Sequence, residues 1–143
     1  MKILVIGGSG LIGYKLLKYL VKANYDVDYT YLKHEISVEN TTPHRLDVSE
    51  WLDAFKLLDE IKPDVTIHTV ALTNVDLCET NHELADKINV EGTRNIVDAC
   101  KEVNSKIIFI STSAILLKLS LSVGNFIWLT LLISEVVFNN SSR

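Results

Sequence analysis

At 143 residues, 48% apolar and 22% charged, the chain is the size of one domain and has enough apolar side chain to bury a core. That balance excludes a disordered, low-complexity protein. A formal charge of −4, with no basic run or interleaved aromatic stripe, argues against a nucleic-acid-binding surface.

The chain begins with one lysine and then an apolar strand, Lys2–Ile6, which does not read as a signal peptide and leads us to expect a cytoplasmic protein. The strand runs straight into Gly7-Gly8-Ser9-Gly10-Leu11-Ile12-Gly13, and a helical pattern follows at once. Strand, glycine turn and helix in that order are the context of a dinucleotide-binding fingerprint. Gly7 lets the chain turn off the strand, Gly10 leaves room for a pyrophosphate, and Gly13 lets the helix pack close to the sheet. The helix N-terminus adds free N–H groups and partial positive charge. The spacing is G-x-x-G-x-x-G; Gly8 departs from the commoner G-x-G-x-x-G.

The helix is expected from about Gly10 to Lys22, with Leu11, Ile12, Leu16, Leu17, Leu20 and Val21 as its apolar stripe. Tyr25–Tyr31 reads as the second strand. Its end separates the cofactors, because an NAD site usually places a carboxylate there for the ribose 2′-OH. Asp28 lies inside the strand, and Lys33 and His34 follow its end, which favours a 2′-phosphate and hence NADP over NAD.

Glu35–Pro43 reads as a polar loop and His44-Arg45-Leu46 as a short strand ending in Asp47-Val48. Ser49 is the expected N-cap of a helix over Trp51–Ile61, with Trp51, Leu52, Phe55, Leu57, Leu58 and Ile61 inward. Pro63-Asp64 turns into a β-branched strand, Val65–Val70, and the loop Ala71–Asp76 leaves its carboxyl end, where such sheets bind ligands. His68, inside that strand, reads as a core or subunit-contact histidine rather than a catalytic one. Cys78 and Cys100 belong to no C-x-x-C or Cys/His cluster, so they read as free thiols and no zinc site is expected. One long helix is expected from about His82 to Val103, interrupted by Asn89 and by Gly92, which costs about 1 kcal/mol mid-helix and so needs a packing or ligand reason. Lys106–Ile110 is the last clear strand, ending in Ser111-Thr112-Ser113. Strands alternating with helices in this order define the fold class: α/β, a doubly wound parallel sheet of Rossmann-like type in a single three-layer domain.

Gly7–Gly13, Asp47-Val48, Lys62–His68, Thr73–Glu79, Ile88–Thr93 and Phe109–Ser113, taken together, resemble the N-terminal part of an extended short-chain dehydrogenase/reductase, closest to the dTDP-4-dehydrorhamnose reductase branch. The resemblance spans residues 1–114. It implies that Gly7, Gly10 and Gly13, aided by Ser9, Leu11 and Ile12, wrap the pyrophosphate of NADP or NAD. Asp47 and Val48 would meet the adenine ring, Ala71 the ribose side, and Asn89 would stabilise the helix behind the site. Thr112 would match the catalytic hydroxyl, with Ser113 as its alternate; nearer relatives are expected to carry aspartate at position 113. The implied reaction is hydride transfer to the 4-keto group of a nucleotide-linked sugar, and the implied partners are the dinucleotide and that sugar.

In the family a Tyr-x-x-x-Lys pair beyond the threonine stabilises the developing alkoxide. Here no tyrosine follows Tyr31, and the Tyr-x-x-x-Lys spacing from Tyr14 to Lys18 lies in the first helix, where both residues read as surface. The family's substrate domain is not visible either. Residues 1–113 are therefore read as the NAD(P)-binding domain, and residues 114–143 as an atypical apolar tail. A lost reading frame after about Ala114 would explain the tail. A sixth strand and a sheet-covering helix fit it about equally; Lys118, Gly124, Asn125 and Glu135 break it up as a membrane span. Its apolar surface is a candidate for self-association into a homo-oligomer. As this chain stands, catalysis is expected to be incomplete, and a non-catalytic nucleotide-binding or regulatory subunit is the alternative.

Overall fold

A computed structural model of the chain describes residues 1–111 and 127–130. Six strands form one sheet: β1 (Lys2–Ile6), β2 (Asp26–Tyr31), β3 (Thr41–Arg45), β4 (Val65–His68), β5 (Lys106–Ser111) and β6 (Ile127–Thr130). Their order is β3-β2-β1-β4-β5-β6 and every pairing is parallel. The helices are α1 (Leu11–Lys22), α2 (Trp51–Ile61), α3 (Val75–Thr80), α4 (His82–Asp86) and α5 (Gly92–Glu102), with one π-helical turn, Lys87–Glu91, joining α4 to α5.

Alternation along β1 builds both halves of the core. Ile3 and Val5 face one side, where Leu17 and Leu20 of α1 pack with Val27, Tyr29 and Ile67. Leu4 and Ile6 face the other, against Ala54, Leu58 and Ile61 of α2 and Ile96, Val97, Ala99 and Cys100 of α5. A side-chain period of two on the strand thus feeds two helical layers, giving the expected three-layer doubly wound sheet. The chain winds outward from β1 to β3, then crosses back to β4 on the other side of β1. The strand order therefore reverses between β1 and β4, and their carboxyl ends flank the crevice.

Several local expectations change. Leu11 is 78% exposed and Ile12 40% exposed, so α1 buries Gly13, Leu17 and Leu20 instead of starting its stripe at Leu11. The first turn of α1 opens at the carboxyl edge, beyond the sheet that would cover it. Thr41–Pro43 belongs to β3 rather than to the preceding loop; Pro43 is accommodated because β3 is an edge strand. The N-cap position of α2 is held by Glu50, because the Ser49 hydroxyl donates instead to Asp47 Oδ1 at 2.8 Å. Trp51 and Leu52 point outward, Trp51 stacking on Phe55. β4 stops at His68, two residues short of Val70, with Thr69 N–H donating the last bond of the β1–β4 ladder to Ile6 O at 2.9 Å. The single helix expected over 82–103 is three pieces. Gly92 sits where the π turn ends, and a Cβ there would lie 2.7 Å from Val48 Cγ2, so the glycine answers to packing. In the range expected to be a tail, β6 pairs with β5 as a sixth strand, Ile108 opposite Ile127.

Candidate cofactor site

The glycine turn sits at the carboxyl end of β1 and is fixed from both neighbouring strands. Gly7 has φ +84°, a conformation that side chains resist, and a Cβ there would also strike Val70. Its N–H donates to Thr30 Oγ1 of β2 at 3.0 Å. From the β4 side, Thr69 Oγ1 donates to Ile6 O at 2.8 Å and approaches Gly7 O at 3.2 Å. Gly10 N donates back to Gly7 O, also at 3.0 Å, closing the turn.

The three fingerprint glycines then separate by what a side chain would meet. At Gly13 a Cβ would collide with Gly7 O and approach Gly8 Cα to 2.7 Å, so this glycine lets α1 press against the turn. At Gly10 a Cβ would meet only Gly7 O, at 3.3 Å, with open space beyond. The cradle is open where a pyrophosphate needs access to the backbone. Gly8, which broke the commoner spacing, has its own reason: a Cβ there would fall 2.6 Å from Tyr29 Cβ.

Helix α1 starts on this cradle with Gly10 as its N-cap and no acidic side chain in its first turn. The N–H groups from Leu11 to Gly13 have no carbonyl one turn earlier, and the helix dipole adds positive potential. Leu11 and Ile12 stand exposed beside them. These features suit a diphosphate.

The remaining sequence-derived positions fall along the same edge. Lys33 and His34 are exposed just past β2. Arg45, opposite Tyr31 in the ladder, donates from Nε to Leu32 O at 3.4 Å. Asp28 lies within β2, 4% exposed, and accepts from His44 Nε2 at 2.8 Å, with Lys2 Nζ 3.7 Å away. It bridges three strands and does not reach the strand end, where a ribose carboxylate would stand. Asp47 follows β3, half-buried, with Oδ1 accepting from the backbone N–H and hydroxyl of Ser49. Val48 is buried, and its carbonyl accepts from Asn95 Nδ2 at 3.0 Å. Ala71 is half-buried in the loop after β4. Thr112 and Ser113 lie outside the described residues. Tyr14 and Lys18 share a face of α1, the ammonium 4.6 Å from the ring centroid.

Sequence reasoning passed over Thr30, Thr69 and Thr93. Thr30 and Thr69 stand at the carboxyl ends of the two strands flanking β1, a position that could have marked them as anchors of the turn. Thr93, buried at the start of α5, donates from Oγ1 to Asn89 O at 2.7 Å. Asn89 in turn clamps Leu72 through both backbone groups: Oδ1 accepts from Leu72 N at 2.7 Å, and Nδ2 donates to Leu72 O at 3.2 Å. His68 is fully buried, stacked on Phe109 with ring centroids 5.3 Å apart, and burial pushes its pKa down to about 4. Among the described residues no group of His, Cys, Asp and Glu side chains could hold a metal ion, and no helix is long and apolar enough to cross a membrane. An open depression near Lys62, Asp64, Asn104 and Lys106 lies at the amino edge of the sheet, opposite the glycine turn.

A parallel sheet with helices on both faces, a strand-order reversal beside a glycine turn and a bare helix N-terminus define a doubly wound nucleotide-binding fold. The model of the RmlD substrate binding domain family matches residues 1–116, and the chain belongs to that family. An uncharacterised membrane protein of Methanocaldococcus jannaschii is 38% identical over 120 residues, covering 77% of this chain and 35% of that protein. The crystal structure of a hypothetical dTDP-4-dehydrorhamnose reductase from Sulfolobus tokodaii is 36% identical with a TM-score of 0.69, covering 78% of this chain and 39% of that one. The UDP-glucose 4-epimerase of Thermus thermophilus, solved as a complex with NAD, shares the fold at a TM-score of 0.73 and 22% identity, covering 78% of this chain and 38% of that one. The chain spans about a third of the length of the curated relatives it matches.

Proposed function

We propose that residues 1–113 are a cofactor-binding domain that takes NADP or NAD at the carboxyl edge of the sheet. The carrying observation is the contrast within the fingerprint: Gly13 has no room for a Cβ because the fold fills it, whereas Gly10 opens onto free space. The backbone N–H groups of Leu11, Ile12 and Gly13 would hold the pyrophosphate, Asp47 and Val48 would border the adenine, and Ala71 the ribose. Lys33 would meet a 2′-phosphate, which favours NADP. The Thermus epimerase of the same fold, bound to NAD, supports the dinucleotide.

A reduced nicotinamide supplies a hydride. Family membership, with the Sulfolobus reductase as a solved relative, supports a nucleotide-linked 4-keto sugar as the acceptor. Thr112, or Ser113, would donate to its carbonyl oxygen. All five tyrosines lie at or before Tyr31, so these 143 residues hold no downstream Tyr-x-x-x-Lys pair. That observation favours a second reading, a nucleotide-binding or regulatory chain without turnover of its own. Calorimetric titration with NADPH and NADH tests the binding: saturation at micromolar concentration supports it, and no heat with either refutes it. Turnover of a dTDP-4-keto sugar by the purified chain would refute the second reading.

A further inference from the structure

His68 is buried at the carboxyl end of β4, one residue before the Thr69 that anchors the glycine turn. Its Nε2 lies 3.2 Å from Thr93 Oγ1. Thr93 has one hydroxyl proton, and it goes to the Asn89 carbonyl, which can only accept. The Thr93 oxygen must then accept from His68, so the imidazole carries its proton on Nε2. Nδ1 is left as a bare lone pair with no partner among the described residues. Asn89 lies in the π-helical turn, where Gly92 N bonds back to Lys87 O, and its side chain grips both backbone groups of Leu72. A π turn inside an α-helical run is costly and often marks a functional position.

We propose that His68 is a positioning residue: through Thr93 it holds the π turn at Asn89 in the register from which Asn89 fixes the Ala71–Leu72 backbone beside the cofactor. The Thr93 oxygen selects this tautomer, and burial keeps the imidazole neutral over the ordinary pH range. The chain of contacts is His68, Thr93, Asn89 and Leu72, and each link is a single hydrogen bond or pair. The link to the cofactor rests on the binding function proposed above; the link to Leu72 does not.

The test uses the full chain. In the wild type, long-range proton–nitrogen correlation spectra are expected to show His68 as the Nε2–H tautomer, and an Nδ1–H tautomer overturns the proposal. His68→Phe removes the first link, and Thr93→Val removes both bonds of the Thr93 hydroxyl. Both are expected to speed amide exchange at Leu72 about tenfold and raise the Kd for NADPH about fivefold, with exchange at Leu4 in β1 unchanged. Thr93→Ser and His68→Gln keep a hydroxyl or an N–H donor at the same place, and both are expected within about twofold of wild type. Unchanged Leu72 exchange in His68→Phe, or equal acceleration at Leu4 and Leu72, overturns positioning. Should a variant fail to fold, the wild-type tautomer still decides. If the wild-type chain binds neither NADPH nor NADH, the cofactor function fails, while the tautomer and Leu72 exchange judge the positioning claim separately.

Discussion

Gly10→Val and Gly13→Ala should part the ligand from the fold. A side chain at Gly10 meets only Gly7 O, at 3.3 Å, and the backbone there (φ −76°, ψ 169°) suits any residue. The structural cost is that of a poorer N-cap, about 1 kcal/mol, or a fall in Tm of about 4 °C. The valine would, however, fill the space a pyrophosphate needs. Losing two or three charge-assisted hydrogen bonds from the helix N-terminus should weaken NADPH binding at least about thirtyfold, equivalent to about 2 kcal/mol. Gly13→Ala reverses the balance. Its Cβ would overlap Gly7 O and crowd Gly8 Cα, both rigid backbone atoms, so α1 must move away from the turn. Overpacking of that kind costs about 1–3 kcal/mol, a fall of roughly 4–12 °C. Thermal unfolding followed by circular dichroism, with calorimetric titration of the same samples, checks both. Unchanged NADPH affinity in Gly10→Val would refute the cradle assignment, and an unchanged Tm in Gly13→Ala would refute the packing argument.

Lys33→Glu is expected to weaken NADPH about tenfold while sparing NADH; an unaltered ratio of the two Kd values sinks the 2′-phosphate role. Gly92→Ala, which in an ordinary helix gains about 1 kcal/mol, should lose about that amount because the new Cβ meets Val48 Cγ2 at 2.7 Å. Adding Val48→Ala should make the two substitutions non-additive in a denaturation cycle, and simple additivity would count against the contact. The His68 pKa is about 4 when folded and 6.5 when free, so the unfolded chain takes up a proton that the folded chain refuses. That contribution to stability is complete above about pH 6.5 and falls away as pH drops, reaching a loss of about 3 kcal/mol by pH 4. Urea unfolding of wild type and His68→Gln at pH 7 and pH 4 measures it; equal losses in both proteins would contradict it. Burial raises the Cys100 thiol to about 11, whereas Cys78 is half-buried, so a thiol reagent at pH 8 should label Cys78 in the native chain and Cys100 only on unfolding.

Much of the fold is legible along the chain because it depends on local periodicity. Continuous apolar or β-branched runs gave β1, β4 and β5, and alternation gave β2, all within a residue or two. Apolar spacing at period 3.6 gave α1 and α2. The glycine turn was legible because strand, glycines and helix lie within thirteen consecutive residues. The errors in the apolar stripes share one cause, which is that burial at an element's end depends on what the rest of the chain places over it. Leu11, Ile12, Trp51 and Leu52 fit an apolar stripe by spacing, yet they stand where no neighbour covers them. Ser49 has the chemistry of an N-cap, but Asp47 two residues earlier takes its hydroxyl.

The sequence by itself determined the parallel α/β architecture, the position of the phosphate turn and the absence of a downstream tyrosine–lysine pair from these residues. It also named Gly92 as a residue in need of a reason without saying which. Only the tertiary structure decided that the reason is Val48, that Gly8 makes room for Tyr29, and that the helix after residue 82 breaks into a π turn. It alone joined Thr30 and Thr69 to the glycine turn, and His68 to Asn89 through Thr93. The contacts of Thr30, Thr69 and His68 span 23, 62 and 25 residues of chain, and hydrogen-bond partners at such separations leave no period in a sequence. They exist because the parallel winding brings the carboxyl ends of β1, β2 and β4 to one edge.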